Sequence, residues 1–375
     1  MPIISRRQFN QRLITGLSAL TIAPKALAQG PDVFAIAGTG APGTEAELAK
    51  DAVAIRTPIS NPYGVVIGPD KALYFCEVDT GLIRRISLRT NKITTIAGNG
   101  DKRFEAESRN PLQAPFNAPH EIRWDDDNSL YVVERDSHCV KRIDGRSGLV
   151  TTLAGNGRAG FKGDEGSAVL SQLQRPHSIA FDSKGNLLIC DLGNGRLRQV
   201  SRETGLIKTI AGTGEQGETP ATGPMLGTTL RGPRTLDTDR DGNAFLVLRE
   251  GNAIFQLDLD SNNMKKIAGT GSQGYSGDGG NALSATFNGP KGIAYSRTDN
   301  SLYVADTENH AIRKIDLGTG LIDTVLGTGE KGDGPDGRPY NCQLNRPHGV
   351  FVFERIIYIA DSENHRIRAL TGVVT

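Results

Sequence analysis

The chain is poor in several residue types that mark particular classes of protein. Its 375 residues include three Met, one Trp and four Cys, and its formal net charge is +1. Without a basic block or an acidic tail, it lacks the electrostatic footprint of a nucleic-acid-binding protein. Beyond the N-terminus no apolar run approaches the length of a membrane span. Four cysteines do not make a disulfide framework in a domain of this size. Glycine, by contrast, is abundant at 46 residues, which is typical of a turn-rich all-β chain.

The N-terminus has the three parts of an export signal in the right order. Ser5–Phe9 is a twin-arginine pattern, Leu13–Ala23 is apolar, and Ala26–Ala28 is a small-x-small cleavage site. We therefore predict a twin-arginine signal peptide at residues 1–28 and a mature domain at 29–375, which is periplasmic or otherwise exported and does not insert into the membrane. The alternative, a cytoplasmic tail with a chance arginine pair, does not account for the order of the parts.

One unit of sequence recurs along the rest of the chain. A proline precedes an apolar strand six times, each 57 residues after the last: Pro62, Pro119, Pro176, Pro233, Pro290 and Pro347. In the fifth copy, apolar segments at 292–295, 302–306, 312–315 and 322–326 are separated by Gly, Asn and Asp turns. Four short strands at this spacing predict a blade of antiparallel sheet, and six copies predict an all-β, six-bladed β-propeller.

The last copy ends after its third strand, at 367–370. Residues 33–40, VFAIAGTG, match the fourth strand of another copy, KTIAGTG at 208–214. We therefore predict that the N-terminal strand completes the last blade and closes the ring, which removes the free sheet edges. An open β-solenoid is the alternative, and it needs no such strand.

The segment 272–282, SQGYSGDGGNA, followed by Pro290–Ile293, Val304–Asp306 and Asn309–Arg313, resembles the linker and repeat of the NHL-repeat family. The resemblance covers the whole mature chain and implies the propeller fold. It does not imply a shared activity, because function depends on the site that a fold carries.

An acid on the second strand and a base on the third are seven residues apart in five copies. The pairs are Glu77 and Arg84, Glu134 and Lys141, Asp191 and Arg198, Asp306 and Arg313, and Asp361 and Arg368. The fourth copy has Leu248 and Phe255 instead, so both charges are lost together. A partly buried ion pair predicts this behaviour, because removing one partner leaves the other charge uncompensated.

All six histidines occupy two repeat positions. His138, His310 and His365 lie in the loop between the second and third strands, where we expect each to pack and hydrogen-bond within its blade. The others follow the leading proline, at the predicted mouth of the central channel. The six residues at that position are Tyr63, His120, His177, Arg234, Lys291 and His348.

Two kinds of site fit these six residues. Arg234 and Lys291 suit a polar or anionic ligand, whereas His120, His177 and His348 suit zinc or another divalent metal with an open coordination position. The Pro-His positions are also similar to the zinc-binding positions of peptidylhydroxyglycine alpha-amidating lyase. That resemblance implies a metal at the three histidines, although in this chain they come from the second, third and sixth copies, and the lyase's loop tyrosine has no counterpart.

The sequence thus predicts a recognition scaffold for a polar or anionic small molecule, a glycan or a protein. The alternative is a metal-dependent lyase or hydrolase at the channel mouth. The long linkers, such as Gly157–Arg175, enlarge the loop-rich face and fit either hypothesis.

Overall fold

The computed structural model describes residues 30–43, 49–239 and 241–375. The predicted signal peptide lies outside these residues. The described chain forms six antiparallel sheets and contains short 3-10 helices but no α-helix. The innermost strand of each sheet packs against the innermost strands of the two neighbouring sheets, and the sixth packs against the first. The predicted six-bladed propeller is confirmed.

Blades 1 to 3 each have their leading strand at the centre and a short linker strand outermost. From the centre outward, blade 1 contains β3 (Pro62–Ile67), β4 (Leu73–Glu77), β5 (Leu82–Ser87), β6 (Lys92–Ala97) and β2 (Ala52–Val53). Blade 2 contains β8 (Pro119–Trp124), β9 (Leu130–Glu134), β10 (Cys139–Ile143), β11 (Val150–Ala154) and β7 (Glu107–Ser108). Blade 3 contains β13 (Ser178–Phe181), β14 (Leu187–Asp191), β15 (Arg196–Val200), β16 (Leu206–Ala211) and β12 (Gly166–Ser167).

Blades 4 to 6 also have their leading strand at the centre. Blade 4 contains β18 (Pro233–Thr238), β19 (Asn243–Leu248), β20 (Ala253–Asp258), β21 (Asn263–Ala268) and β17 (Thr222–Pro224). Blade 5 contains β23 (Gly292–Ser296), β24 (Ser301–Asp306), β25 (Ala311–Asp316), β26 (Leu321–Leu326) and β22 (Gly280–Asn281). Blade 6 contains β27 (Gly349–Phe353), β28 (Ile356–Asp361), β29 (Arg366–Thr371) and β1 (Asp32–Ala37). The 3-10 helices span Ala54–Arg56, Pro111–Gln113, Ala168–Leu170, Leu192–Asn194, Ala282–Ser284, Thr307–Asn309, Pro339–Asn341 and Ser362–Asn364.

The N-terminal strand closes the ring as predicted. β1 pairs antiparallel with β29, with Val33 opposite Leu370 and Phe34 opposite Ala369. A backbone hydrogen bond from the Val33 amide to the Gly337 carbonyl, 2.8 Å long, ties the same strand to the preceding linker. The last blade is therefore built from both ends of the described chain, and β1 covers the edge that β29 would otherwise leave free.

Five blades carry a strand that the sequence analysis did not anticipate. In blades 1 to 5 the linker adds a fifth, outermost strand of two or three residues, whereas blade 6 has the four predicted strands. In blade 5 this strand pairs Gly280 with Ile322 and Asn281 with Leu321. Two-residue strands have no alternation pattern to detect, since the side-chain period itself is two residues.

The hydrophobic core lies between the blades. Each of six buried clusters combines side chains from two neighbouring blades, such as Cys190 of blade 3 with Phe255 of blade 4. All four cysteines are buried and free, so they act as small apolar residues of these clusters and strands. Within the described ranges, no helix is long and apolar enough to cross a membrane.

Candidate functional site

The six predicted mouth residues come together at one end of the central channel. Tyr63, His120, His177, Arg234, Lys291 and His348 all line a single small cavity. The cavity measures about 10 Å³, which is room for roughly one water molecule. Only a small ion or the end group of a larger ligand fits between these side chains. Their role in binding remains a prediction.

Local backbone geometry aims these side chains into the channel. In every blade the residue before the leading proline has a left-handed backbone, with φ between 48° and 73°. Four of the six are not glycine, namely Asn61, Ala118, Arg175 and Arg346. Such a conformation is uncommon for residues with a Cβ, and its repetition in all six blades fixes the turn that leads each inner strand.

Four of the six mouth residues are aromatic or imidazole side chains, and they pack against one another in one continuous row. Tyr63 stacks on His348 with ring centroids 3.9 Å apart, and its edge meets His120 at 4.7 Å. His120 in turn meets His177 edge to face at 4.8 Å. Packing of this kind holds the rings in fixed orientations.

Each mouth histidine has its tautomer set by the backbone two residues earlier. The Nδ1 atoms of His120, His177 and His348 lie 2.9, 2.7 and 2.9 Å from the carbonyls of residues 118, 175 and 346. A carbonyl only accepts, so Nδ1 carries the hydrogen and Nε2 is left as an acceptor. Burial, aided by nearby cations, lowers the pKa of His120 and His348 well below the usual value, so both are neutral.

Arg234 is the least compensated charge at the mouth. Its residue is 7% exposed, and among the described residues it has no hydrogen-bond or carboxylate partner. Burial lowers the pKa of Arg234 to about 10, which still leaves the guanidinium charged near neutrality. The other buried Lys and Arg side chains of the described chain each contact a carboxylate.

Lys291, by contrast, is paired. Its Nζ lies 2.9 Å from Glu308 Oε1 and 3.2 Å from His348 Nε2. Arg346 holds the same carboxylate with two hydrogen bonds of 2.9 and 2.8 Å. Burial opposes ionisation of Glu308, but the hydrogen bonds from Arg346 and Lys291 outweigh it and lower its pKa to about 2. Burial lowers the pKa of Lys291 to about 8.

Glu308 belongs to a set of acids that the sequence analysis missed. The same position in the loop between the second and third strands is acidic in five blades: Asp79, Asp136, Glu250, Glu308 and Glu363. Blade 3 has Gly193 there. The signal was available, because the position lies two residues before the predicted loop histidines and recurs with the repeat.

Another acid that the sequence reasoning missed lines the mouth cavity itself. Glu121 follows His120 on β8 and lines the cavity, and its Oε1 accepts a 2.5 Å hydrogen bond from Arg123. Burial raises the pKa of Glu121, with Arg123 acting in the opposite direction. The equivalent residues of the other blades are Gly, Ser or Thr, so only blade 2 places a carboxylate at this depth.

The outer histidines join neighbouring blades, which corrects the expectation that they bond within their own blade. The Nδ1 atoms of His138, His310 and His365 each accept the backbone N–H of the pre-proline residue of the next blade, at 3.1 Å. In blade 4, Asn252 Oδ1 accepts the corresponding N–H of Gly289 at 2.9 Å. These side chains stabilise the turns that lead into the inner strands, and they do not line the mouth cavity.

The five predicted ion pairs are formed, with nitrogen to oxygen distances between 2.7 and 3.5 Å. They are fully buried, rather than partly buried as the sequence suggested. Leu248 and Phe255 are buried in their place in blade 4. In blades 3, 5 and 6 the arginine also contacts linker carboxylates, which are Asp164, Asp278, Asp333 and Asp336. In these three blades the arginine therefore joins the second and third strands to the linker.

A metal centre fits this arrangement less well than an anion. The described residues contain no group of three or more His, Cys, Asp or Glu side chains placed to hold a metal ion. Lys291 donates to the Nε2 lone pair of His348, since the Nδ1 of that ring already carries its hydrogen. Arg234 and Lys291 would also repel a cation at the same mouth.

The fold and the mouth define a six-bladed β-propeller with a polar channel entrance. Residues 240–346 match the family model of the Teneurin NHL domain, and residues 173–200 and 344–370 match that of the NHL repeat. The chain is an NHL-repeat β-propeller.

Two curated relatives share the repeats. The chain is 28% identical over 292 residues to the chloroplastic protein Suppressor of Quenching 1 of Arabidopsis thaliana, covering 74% of this chain and 27% of that protein. It is 25% identical over 323 residues to human NHL repeat-containing protein 2, covering 74% and 42%. The chain thus spans less than half the length of either relative.

Among solved structures, an auxiliary nutrient binding protein from Bacteroides thetaiotaomicron superposes with a TM-score of 0.66 at 15% identity. The match covers 91% of this chain and 76% of that chain. At this identity the likeness concerns the fold. Together the comparisons support the fold and leave the ligand of this chain open.

Proposed function

We propose that this propeller is a recognition scaffold that binds the anionic group of a polar ligand at the channel mouth, with Arg234 as its anchor. The observation that carries the proposal is Arg234, a largely buried residue that lines the mouth cavity and whose guanidinium has no carboxylate partner among the described residues. A charge removed from water without a partner is costly. A ligand carboxylate or phosphate would supply that partner through two parallel hydrogen bonds.

The remaining mouth residues complement such a ligand. The Nε2 atoms of His120 and His177 can accept hydrogen bonds, since their Nδ1 atoms are bonded to backbone carbonyls, and no described residue is placed to donate to them. A ligand with hydroxyl groups near its anionic end would place the anionic group on Arg234 and donate hydrogen bonds to His120 and His177. Because the cavity admits only an end group, the rest of a larger ligand, such as a glycan or a protein segment, would rest on the loop-rich face.

Titration with acetate, followed by the ring signals of the six histidines in NMR spectra, tests the proposal. We expect Arg234→Gln to weaken acetate binding about 10- to 100-fold, the range for a charge-assisted hydrogen bond. The matched control is Arg202→Gln, which removes an exposed arginine paired with Asp127 away from the mouth. Equal binding by Arg234→Gln, or equal binding of neutral acetamide to the native protein, would overturn the proposal.

We propose periplasmic or other exported localisation through the twin-arginine pathway, which the Ser5–Phe9 pattern supports. Replacing both Arg6 and Arg7 with lysine should retain the protein in the cytoplasm of the producing cell. Export of that variant at the native level would contradict this proposal.

A zinc-dependent lyase or hydrolase is the second candidate. The fixed tautomers of His120, His177 and His348 favour it, because Nδ1–H bonded to a carbonyl is the usual support for a metal-bound imidazole. When bound, zinc would polarise a substrate oxygen or activate water. Metal analysis of protein purified from the periplasm tests this candidate. Stoichiometric zinc that is lost in His177→Ala would support it, and metal-free protein that binds acetate would exclude it.

A further inference from the structure

Blades 4 and 5 place the same kinds of residue at the mouth but pair them differently. Each has a cation after the leading proline and a glutamate in the next loop: Arg234 with Glu250, and Lys291 with Glu308. Only the second pair is formed, with Lys291 Nζ 2.9 Å from Glu308 Oε1. Two residues separate the two cases. Arg249 precedes Glu250 whereas Thr307 precedes Glu308, and the pre-proline residue of the following blade is Gly289 in the first case and Arg346 in the second.

Arg249 forms an ion pair with Glu250 at the rim, which leaves Arg234 without a carboxylate partner in the part of the chain that the structure describes. Thr307 has no charge, so Glu308 reaches inward to Lys291. Arg346 fixes Glu308 there with hydrogen bonds to both carboxylate oxygens. The acids at the same loop position in blades 2, 4 and 6 form ion pairs with rim cations alone, which are Arg135, Arg249, Lys331 and Arg346. Glu308 contacts Lys291 in addition to the rim cations Arg346 and, at 4.0 Å, Arg249.

We propose that Glu308 is a specificity-determining residue that limits the ligand at the mouth to a single negative charge. This inference rests on the proposed anion site at Arg234. With Glu308 ionised, Lys291 is neutralised and Arg234 alone remains to be compensated. A second negative charge on the ligand would meet the Glu308 carboxylate instead of a free cation, and close like charges disfavour binding strongly.

The test compares two probes that differ by one charge and stay ionised at all relevant pH values, ethanesulfonate and ethane-1,2-disulfonate. Dissociation constants are measured at pH 6, well below the pKa of about 8 of Lys291. In Glu308→Gln, we expect the preference to shift toward the disulfonate by about tenfold or more. The matched control is Glu363→Gln, because its partner Arg346 keeps Glu308 and Lys291 keeps its pair. That control should retain the native preference.

Two further variants separate charge from misfolding. Glu308→Asp retains the charge and should retain the native preference. The double variant Glu308→Gln with Lys291→Met removes both charges and should restore the preference for one charge. An unchanged ratio in Glu308→Gln, or an equal shift in Glu363→Gln, would overturn the inference. If neither probe binds the native protein in an Arg234-dependent way, the proposed function itself fails, which is a distinct result.

Discussion

The Nη2 atom of Arg313 lies 2.7 Å from the Asp278 carboxylate, closer than its Nη1 lies to Asp306 on the adjoining strand at 3.5 Å. Asp278 belongs to the linker that precedes blade 5, so the arginine joins the linker to the blade. Lys141, the corresponding base of blade 2, pairs with Glu134 at 2.9 Å and with the Pro115 carbonyl at 2.7 Å. Blade 5 therefore has a second acid where blade 2 has a neutral acceptor.

Removing the strand acid should therefore cost more in blade 2 than in blade 5. Glu134→Ala leaves Lys141 as a buried charge without a carboxylate, which typically costs about 3–5 kcal/mol. Asp306→Ala leaves Arg313 with Asp278, so we expect a smaller loss, about 1–3 kcal/mol for the unsatisfied donors. Urea denaturation measures both free energies of unfolding. Equal losses would show that Asp278 does not compensate Arg313.

The two acids around Arg313 should act non-additively. Asp278 is about half exposed, so Asp278→Asn alone should change stability little and mainly speed hydrogen exchange in the linker. Combined with Asp306→Ala, it removes the last carboxylate from Arg313. The double variant should then lose more free energy of unfolding than the sum of the two single losses. Simple additivity would contradict the shared-arginine arrangement.

The bond between blades 5 and 6 at His310 should be replaceable by asparagine. His310→Ala removes the acceptor of the Arg346 N–H, and we expect a loss of about 1 kcal/mol. His310→Asn should retain most of the stability, because Asn252 performs this role in blade 4 and asparagine tolerates the left-handed backbone found at position 310. Thermal melting of both variants tests this. An asparagine variant no more stable than the alanine variant would argue against the hydrogen bond.

Anion binding at the mouth should weaken as the pH rises through about 8. Lys291 loses its proton near that pH, whereas Glu308, whose pKa is about 2, stays ionised throughout. Deprotonation therefore turns a neutral pair into a net negative charge beside Arg234, and an anion is repelled. Acetate affinity measured from pH 6 to pH 9 should show this decline. Lys291→Met should bind with little dependence on pH over that range, and a decline as steep as the native one would assign the effect to another group.

Sequence comparison among the six copies was sufficient for the architecture. The 57-residue period, the incomplete last copy and the matching segment at 33–40 determine six blades and their closure. The same comparison identified the residues that converge at the mouth. It succeeded because each blade repeats one local pattern of strands and turns, and this pattern follows from short-range chemistry.

Only the tertiary structure decided which charges are compensated. Arg234 and Lys291 occupy equivalent positions and both precede a loop glutamate, so the sequence treats them alike. Arg249 takes Glu250 away from Arg234, and Arg346 of the next blade holds Glu308 on Lys291. Such competition for a carboxylate depends on side chains brought together from several loops and blades. The repeat period therefore determines where the mouth lies, and contacts between blades leave Arg234 as its one buried charge without a carboxylate among the described residues.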